Sequence, residues 1–311
     1  MKLVSFEIDN QNKMGSVEDD MIYDLNKLDD RISNSVLGFI KGGENQFLLA
    51  KSVINSNSPT IPVSSVNLLS PILNPPSVRD AYAFRQHVLT ARQNRGLEMI
   101  PEFDEIPIFY FTNHNAVYGS GKFPVLSKHL DKLDFELECA AVIGKGGTNI
   151  SVSEADKYIW GFMIMNDFSA RGLQMQEMKL NLGPAKGKDF GSSFGPYLVT
   201  KDELEPFKSV SKDGDRYNLE MKAYVNDVQV SQDNLSNMTW SFAQIIERVS
   251  YGVDIFPGDI IGSGTCGTGC FLELNGSNIT KNQWLLPNDK ITLEIEGLGS
   301  LENQIHLNES I

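Results

Sequence analysis

Two glutamates one residue apart, Glu136 and Glu138, sit in a run that is otherwise mostly apolar, Leu133-Asp-Phe-Glu-Leu-Glu-Cys-Ala-Ala-Val-Ile143. The run reads as a buried β-strand. Side chains alternate along a strand, so both carboxylates face the same way. Adjacent carboxylates repel each other, and neither can face an apolar core without a partner. A hard divalent ion with oxygen ligands would satisfy both. A solvated strand face would also do so, and the run alone does not choose between them.

A chain of 311 residues, 41% hydrophobic and 22% charged, is long enough to bury such a strand in one large domain or two unequal ones. Its net charge is -13 and its pI about 4.8. Lys and Arg form no cluster, which excludes a nucleic-acid backbone and argues against an anionic membrane surface as partners. Cys139, Cys266 and Cys270 are too few for a disulfide framework, and Cys266-x-x-x-Cys270 has no second pair to complete a zinc site. All three read as packing residues. The first residues follow a strand pattern, not a signal peptide, and no apolar run approaches the roughly 20 residues that span a bilayer. Cytoplasmic residence is therefore expected, with the Asn-x-Ser/Thr sequons unglycosylated.

Residues 1–68 read as a small α+β unit: strands over Leu3–Ile8 and Met21–Asp24, a helix over Ser35–Lys51, and a Ser/Asn/Pro-rich linker near residues 56–63. Residues 69–311 read as the main domain. There, short strands separated mostly by turns predict an antiparallel-rich sheet, closed or rolled, with few helices.

Several segments could supply chemistry beside the glutamates. Ser77-Val-Arg-Asp80 resembles a capping box, so a helix is predicted from there to Gly96. Asp80 and His87 would share one face of it, about 10 Å apart along the axis. Asp167, where an apolar strand ends, is a third carboxylate within reach of the pair, or else an N-cap. Arg171 and Gln174, one helical turn apart, can aim donors at one point and suit an oxyanion. Lys188 lies in a glycine-rich loop that lacks Walker spacing. Gly262-Ser-Gly-Thr-Cys-Gly267 spells a dinucleotide fingerprint but is followed by what reads as a strand, Gly269–Leu274, which argues against that use. Glu273 in that apolar segment needs a partner, and a histidine that it orients as a general base would be one.

Taken together these segments, spanning roughly residues 70–302, resemble the fumarylacetoacetate hydrolase family. The resemblance rests on Asp80-x-Tyr82-x-x-Arg-Gln-His87, Asp134-Phe-Glu136-Leu-Glu138, Met165-Asn-Asp167-x-Ser-Ala-Arg171 with Gln174, Gly187-Lys188-x-Phe-Gly-Ser192, Gly264-Thr265 and Phe271-Leu-Glu273. It implies a mixed β-roll core with a small N-terminal domain, a homodimer, and Mg2+ or Ca2+, with Mn2+ also admissible, held by Asp80, Glu136, Glu138 and Asp167. It implies catalytic roles for His87, Glu273, Arg171, Gln174 and Lys188, and substrate contacts for Tyr82, Thr265 and Ser192. Met178 stands where family hydrolases carry an aromatic contact, and Gly96 where they carry an arginine, with Arg92 and Arg95 nearby. The expected activity is hydrolytic cleavage of a C–C bond in a β-diketo acid, a small oxo-acid. The alternatives are decarboxylation or isomerisation/hydration of related oxo-acids, and a non-catalytic metal-binding relative.

Overall fold

The computed structural model describes residues 1–308. It opens with a meander of β1 (Lys2–Ile8), β2 (Gln11–Glu18) and β3 (Met21–Asp24), then helices α1 (Val36–Lys41) and α2 (Gly43–Ser56). The single helix expected over Ser35–Lys51 is two. Ser35 caps α1 through its side chain, and Gly43, at φ +60, turns the chain out of α1 and into α2.

The main body begins with β4 (Val78–Ala81), α3 (Arg85–Gln93), β5 (Phe109–Thr112) and β6 (Gly121–Val125). Next come β7 (Leu133–Asp134), β8 (Leu137–Ile143), β9 (Ile159–Asn166), β10 (Ser169–Ala170), α4 (Arg171–Met178) and β11 (Ser192–Thr200). It closes with β12 (Glu220–Val225), β13 (Val228–Asn234), α5 (Phe242–Val249), β14 (Ile260–Gly262), α6 (Phe271–Gly276), β15 (Lys290–Ile295) and β16 (Gly299–Leu307).

A 12-stranded sheet carries the order β3-β2-β1-β11-β9-β8-β14-β4-β5 along its length, with short strands at its margins. Most neighbours are antiparallel, but β14 and β4 run parallel. A five-stranded sheet, β13-β12-β15-β16-β6, is likewise mixed, since β16 and β6 are parallel. The architecture is the β-rich, mixed-sheet α+β fold that the sequence led us to expect. Leu3 pairs with Leu198, so the N-terminal strands continue the sheet of the main body across the boundary expected near residue 68.

The large sheet is covered on both faces, which explains the apolar character of β8. Leu137, Cys139, Ala141 and Ile143 join one core with the second sheet and α5. Ala140 and Val142 join another with α1 and α2. By period-2 alternation Glu138 belongs to the latter face, and it is fully buried there.

Three local readings are corrected, and each bears on the site. Asp80 lies not at a helix start but on strand β4, and α3 begins only at Arg85. Phe271–Gly276 is a short helix, so Glu273 sits in its first turn and not on a strand. The strand over residues 133–143 breaks at Phe135 and Glu136, dividing β7 from β8.

Candidate active site

Sheet register builds the acidic part of the site. Gly262 of β14 pairs with Asp80 of β4 on one side and with Ala140 of β8 on the other. Asp80 and Glu138 thus meet across the central strand. Gly262 leaves room for them: a Cβ there would stand 2.4 Å from Asp80 Oδ1 and 3.0 Å from Glu138 Oε2. Just beyond, Gly264 turns with φ +77 and its amide donates to Asp80 Oδ1 and Glu138 Oε2, each at 3.1 Å. The glycine fingerprint therefore serves two carboxylates. A helix does follow it, contrary to the sequence reading, but its glycines are occupied by this packing.

Glu136 and Asp167 complete the cluster. Asn166 ends β9, its side chain accepts from the Glu136 amide, and the Asp167 amide donates to the Glu136 carbonyl at 3.3 Å. One carboxylate oxygen from each of Asp80, Glu136, Glu138 and Asp167 lies within 4.8 Å of the others, and all four residues are buried. The convergence expected of Glu136 and Glu138 thus occurs, although β7 and β8 are not continuous.

Two cations reach only one side of this cluster. Lys188 donates to Glu136 Oε2 at 2.5 Å and to Asp167 Oδ2 at 2.6 Å. Arg171 donates to Glu136 Oε1 at 2.7 Å and to Asp134 Oδ2 at 2.9 Å. Burial alone would raise the Glu136 carboxyl, but Lys188 and Arg171 hold it at about 2. Asp80 and Glu138 have no salt-bridge partner among the described residues. Burial, with the nearby Asp167 charge, pushes Asp80 up to about 8. Burial and the Asp80 charge push Glu138 well above its ordinary value. Both are thus pushed upward while Glu136 is held low, so the shortage of positive charge lies on the Asp80–Glu138 side. Four buried oxygen donors with this one-sided shortage of positive charge fit a hard divalent ion.

Next to the cluster, His87 Nδ1 and Glu273 Oε2 are 2.6 Å apart, both buried. His87 comes from the first turn of α3 and Glu273 from the first turn of α6. The Tyr82 ring stands edge-on to the imidazole at 5.9 Å. Asp80, Tyr82, His87, Glu136, Arg171, Gln174, Lys188 and Thr265 all line one cleft of about 1440 Å³. Thr265 also donates to Glu138, at 3.4 Å. Gln174 accepts from Arg171 at 3.0 Å, so the two converge as anticipated, though Arg171 is chiefly engaged by carboxylates. Ser192 is placed differently: it is 1% exposed and donates to Asp167 Oδ1 at 3.2 Å, outside the cleft lining.

Two residues escape the sequence reading. Tyr110 of β5 lines the cleft and donates to Asp167 Oδ2 at 2.5 Å. No motif marks it; only its alternation in the strand, opposite exposed Phe111, signals it. Asp134 is fully buried and accepts from the Phe271 and Leu272 amides, at 2.7 and 3.0 Å, and from Arg171. It ties the start of α6, hence Glu273, to the guanidinium that braces Glu136. Its neighbourhood to the glutamate motif was visible, but its partners were 37, 137 and 138 residues away. Asp134→Ala removes one of the two carboxylates that hold the buried Arg171 guanidinium, leaving Glu136, and strands two buried amides. Thermal unfolding should show a loss of about 3–5 kcal/mol, whereas an unchanged melting temperature would deny the brace.

The fold and site define a mixed-sheet α+β protein with a buried carboxylate cluster and a histidine–glutamate pair on one cleft. Sequence comparison places it among known proteins. Residues 77–306 match the profile described as fumarylacetoacetate (FAA) hydrolase C-terminal, and the chain belongs to the fumarylacetoacetate hydrolase family. It is 29% identical over 290 residues to the mitochondrial oxaloacetate tautomerase Fahd2a of Rattus norvegicus, covering 91% of this chain and 83% of that protein. To the fumarylacetoacetase of Arabidopsis thaliana it is 34% identical over 197 residues, covering 52% of this chain and 47% of the relative. Among solved structures it resembles a maleylpyruvate hydrolase from Sphingobium sp. SYK-6 in complex with manganese(II) and pyruvate, with TM-score 0.73, 18% identity and coverage of 99% and 100%. Both sequence relatives, the oxaloacetate tautomerase and the fumarylacetoacetase, are enzymes. No helix among the described residues is long and apolar enough to cross a membrane.

Proposed function

We propose that the protein is a divalent-metal-dependent enzyme that hydrolyses a C–C bond in a β-diketo acid. The observation that carries this reading is the His87–Glu273 pair, 2.6 Å apart, beside the four-carboxylate cluster on one cleft. Asp80, Glu136, Glu138 and Asp167 would hold Mg2+, Ca2+ or Mn2+, which when bound polarises the substrate's carbonyl oxygens and eases enolate formation. The manganese in the similar maleylpyruvate hydrolase agrees with this.

The chain's own residues do the rest. Glu273 fixes the imidazole through Nδ1, leaving Nε2 to take a proton from water and later return it to the departing carbon. Lys188 and Arg171 place positive charge beside Glu136 and supply donors where an oxyanion develops, with Gln174 orienting Arg171. Tyr82 packs on the imidazole edge. The cleft extends past Met175, Met178, Ile100 and Trp284 to Arg92 and Arg95. An acid with an apolar stretch and a second anionic end suits that shape better than a four-carbon acid.

A second reading is keto–enol tautomerisation of an oxo-acid, and the relative aligned over 91% of the chain favours it. The same histidine would then move a proton directly between carbon and oxygen. Metal-loaded protein should be given acylpyruvates, fumarylacetoacetate and oxaloacetate, with products followed by NMR. Two carboxylic fragments from a diketo acid support hydrolysis. Faster enol–ketone exchange of oxaloacetate without fragments would replace it by the second reading. A homodimer belongs to this proposal too: β5 is a sheet-edge strand with Phe111 63% exposed, a face suited to a second copy. Light scattering should read twice the chain mass.

A further inference from the structure

A second set of metal-binding side chains lies beside the carboxylate cluster and is built from different chemistry. Cys270 is the N-cap residue of α6, and Glu273 is three residues on, so both side chains fall on one side of the helix start. His87 arrives from α3. One ligand atom from each of the three lies within 4.8 Å of the others. They are 5%, 0% and 2% exposed for His87, Cys270 and Glu273, and His87 opens onto the cleft. None of the oxygen-cluster ligands is shared between the two sets.

We propose that His87, Cys270 and Glu273 form a binding site for a thiophilic divalent cation of the zinc class, and that its occupation shuts the enzyme off. A nitrogen, a sulfur and a carboxylate oxygen are zinc ligands, and three such side chains leave a fourth position for water. The sulfur selects against Mg2+ and Ca2+, which prefer oxygen. In a tetrahedral zinc site ligand atoms stand about 3.3–3.8 Å apart, so the set tightens from its 4.8 Å limit while the 2.6 Å contact between His87 and Glu273 opens to admit the cation. Thiolate and carboxylate together balance the two positive charges, and the thiol proton leaves to solvent as the cation binds. The cation enters past His87 from the cleft. Once bound, it engages both members of the histidine–glutamate pair. The protein thus sorts cations by softness: hard ions to the carboxylates, soft ions to the pair.

Cation binding here does not depend on the proposed hydrolysis; only the inhibition does. Protein saturated with Mg2+ should be titrated with Cd2+, following thiolate-to-cadmium absorption in the ultraviolet and the cadmium NMR shift. The expected result is one Cd2+ per chain with a sulfur-containing ligand set that excess Mg2+ does not displace. Zn2+ should compete for it and suppress turnover of whichever oxo-acid is active. Cys270→Ser should weaken Cd2+ binding more than about 100-fold, because even an outer-sphere change costs 10–100-fold. Cys266→Ser and Glu138→Gln should keep the band, the latter while losing the hard ion. Should Cys270→Ser fail to fold, judged by circular dichroism, Cys270→Ala and the wild-type NMR shift decide. No thiolate band in the wild type, or an unchanged affinity in folded Cys270 variants, would overturn the proposal. Cadmium binding without turnover of any oxo-acid would leave this site standing and sink the proposed function instead.

Discussion

Glu138→Gln is expected to abolish divalent-cation binding and turnover while making the metal-free protein more stable at neutral pH. Both effects follow from a carboxylate buried beside Asp80 with no cation to pair it. The sign follows from proton linkage. In the fold Asp80 holds its proton up to about 8, against an ordinary value of 3.8, and Glu138 is raised in the same direction. Between those limits the folded state binds more protons than the unfolded chain, so rising pH destabilises the metal-free fold. That span, 8 minus 3.8, at about 1.36 kcal/mol per unit sets an upper size of roughly 6 kcal/mol for Asp80. Glu136 works the other way, but below the pH 5.5–8 range: its contribution is lost as pH falls from about 4.5 toward about 2. Metal-free wild type should therefore melt at a lower temperature at pH 8 than at pH 5.5, and Glu138→Gln should flatten that slope. Saturating Mn2+ should flatten it in the wild type as well. Calorimetric titration and melting curves read all of this. A variant that binds Mn2+ as the wild type does would remove Glu138 from the site.

The other large effect is expected at the pair. His87→Ala and Glu273→Gln should each lower kcat by about 10²–10⁴-fold with Mn2+ affinity unchanged. Because Glu273 acts through His87, the double variant should lose little more than His87→Ala alone. A double variant whose loss equals the product of the two single losses would mean independent roles. It would also mean that the 2.6 Å contact does not orient a base.

The parts of the site legible in the sequence were those that break a local rule. Glu136 and Glu138 stand in an apolar run, and Glu273 in an apolar segment, so each demanded a partner wherever the chain went. The sheet-rich class was equally visible from strand spacing. What stayed hidden depended on distant partners or on short segments. Ser77-Val-Arg-Asp80 has the side chains of a helix cap, but parallel pairing with residues 260–262 draws it into the sheet. Phe271–Gly276 is too short for its period to separate helix from strand, and the amides at its start are capped from Asp134. Tyr110 reaches Asp167 only because β5 lies next to β4.

The carboxylates are anchored by strand register, through the pairing of Gly262 with Asp80 and Ala140. The outer wall of the cleft comes instead from chain excursions near residues 91–108 and 175–184. A shift of one residue in β4, β8 or β14 would turn its carboxylate or glycine to the opposite face and destroy the cluster. Insertions or exchanges in the excursions leave that register untouched. The two parts can therefore drift at different rates during divergence. Descendants of one ancestor could keep the same reaction centre while accepting acids of different length and fate. Such a history would produce both tautomerases and hydrolases as relatives of one chain.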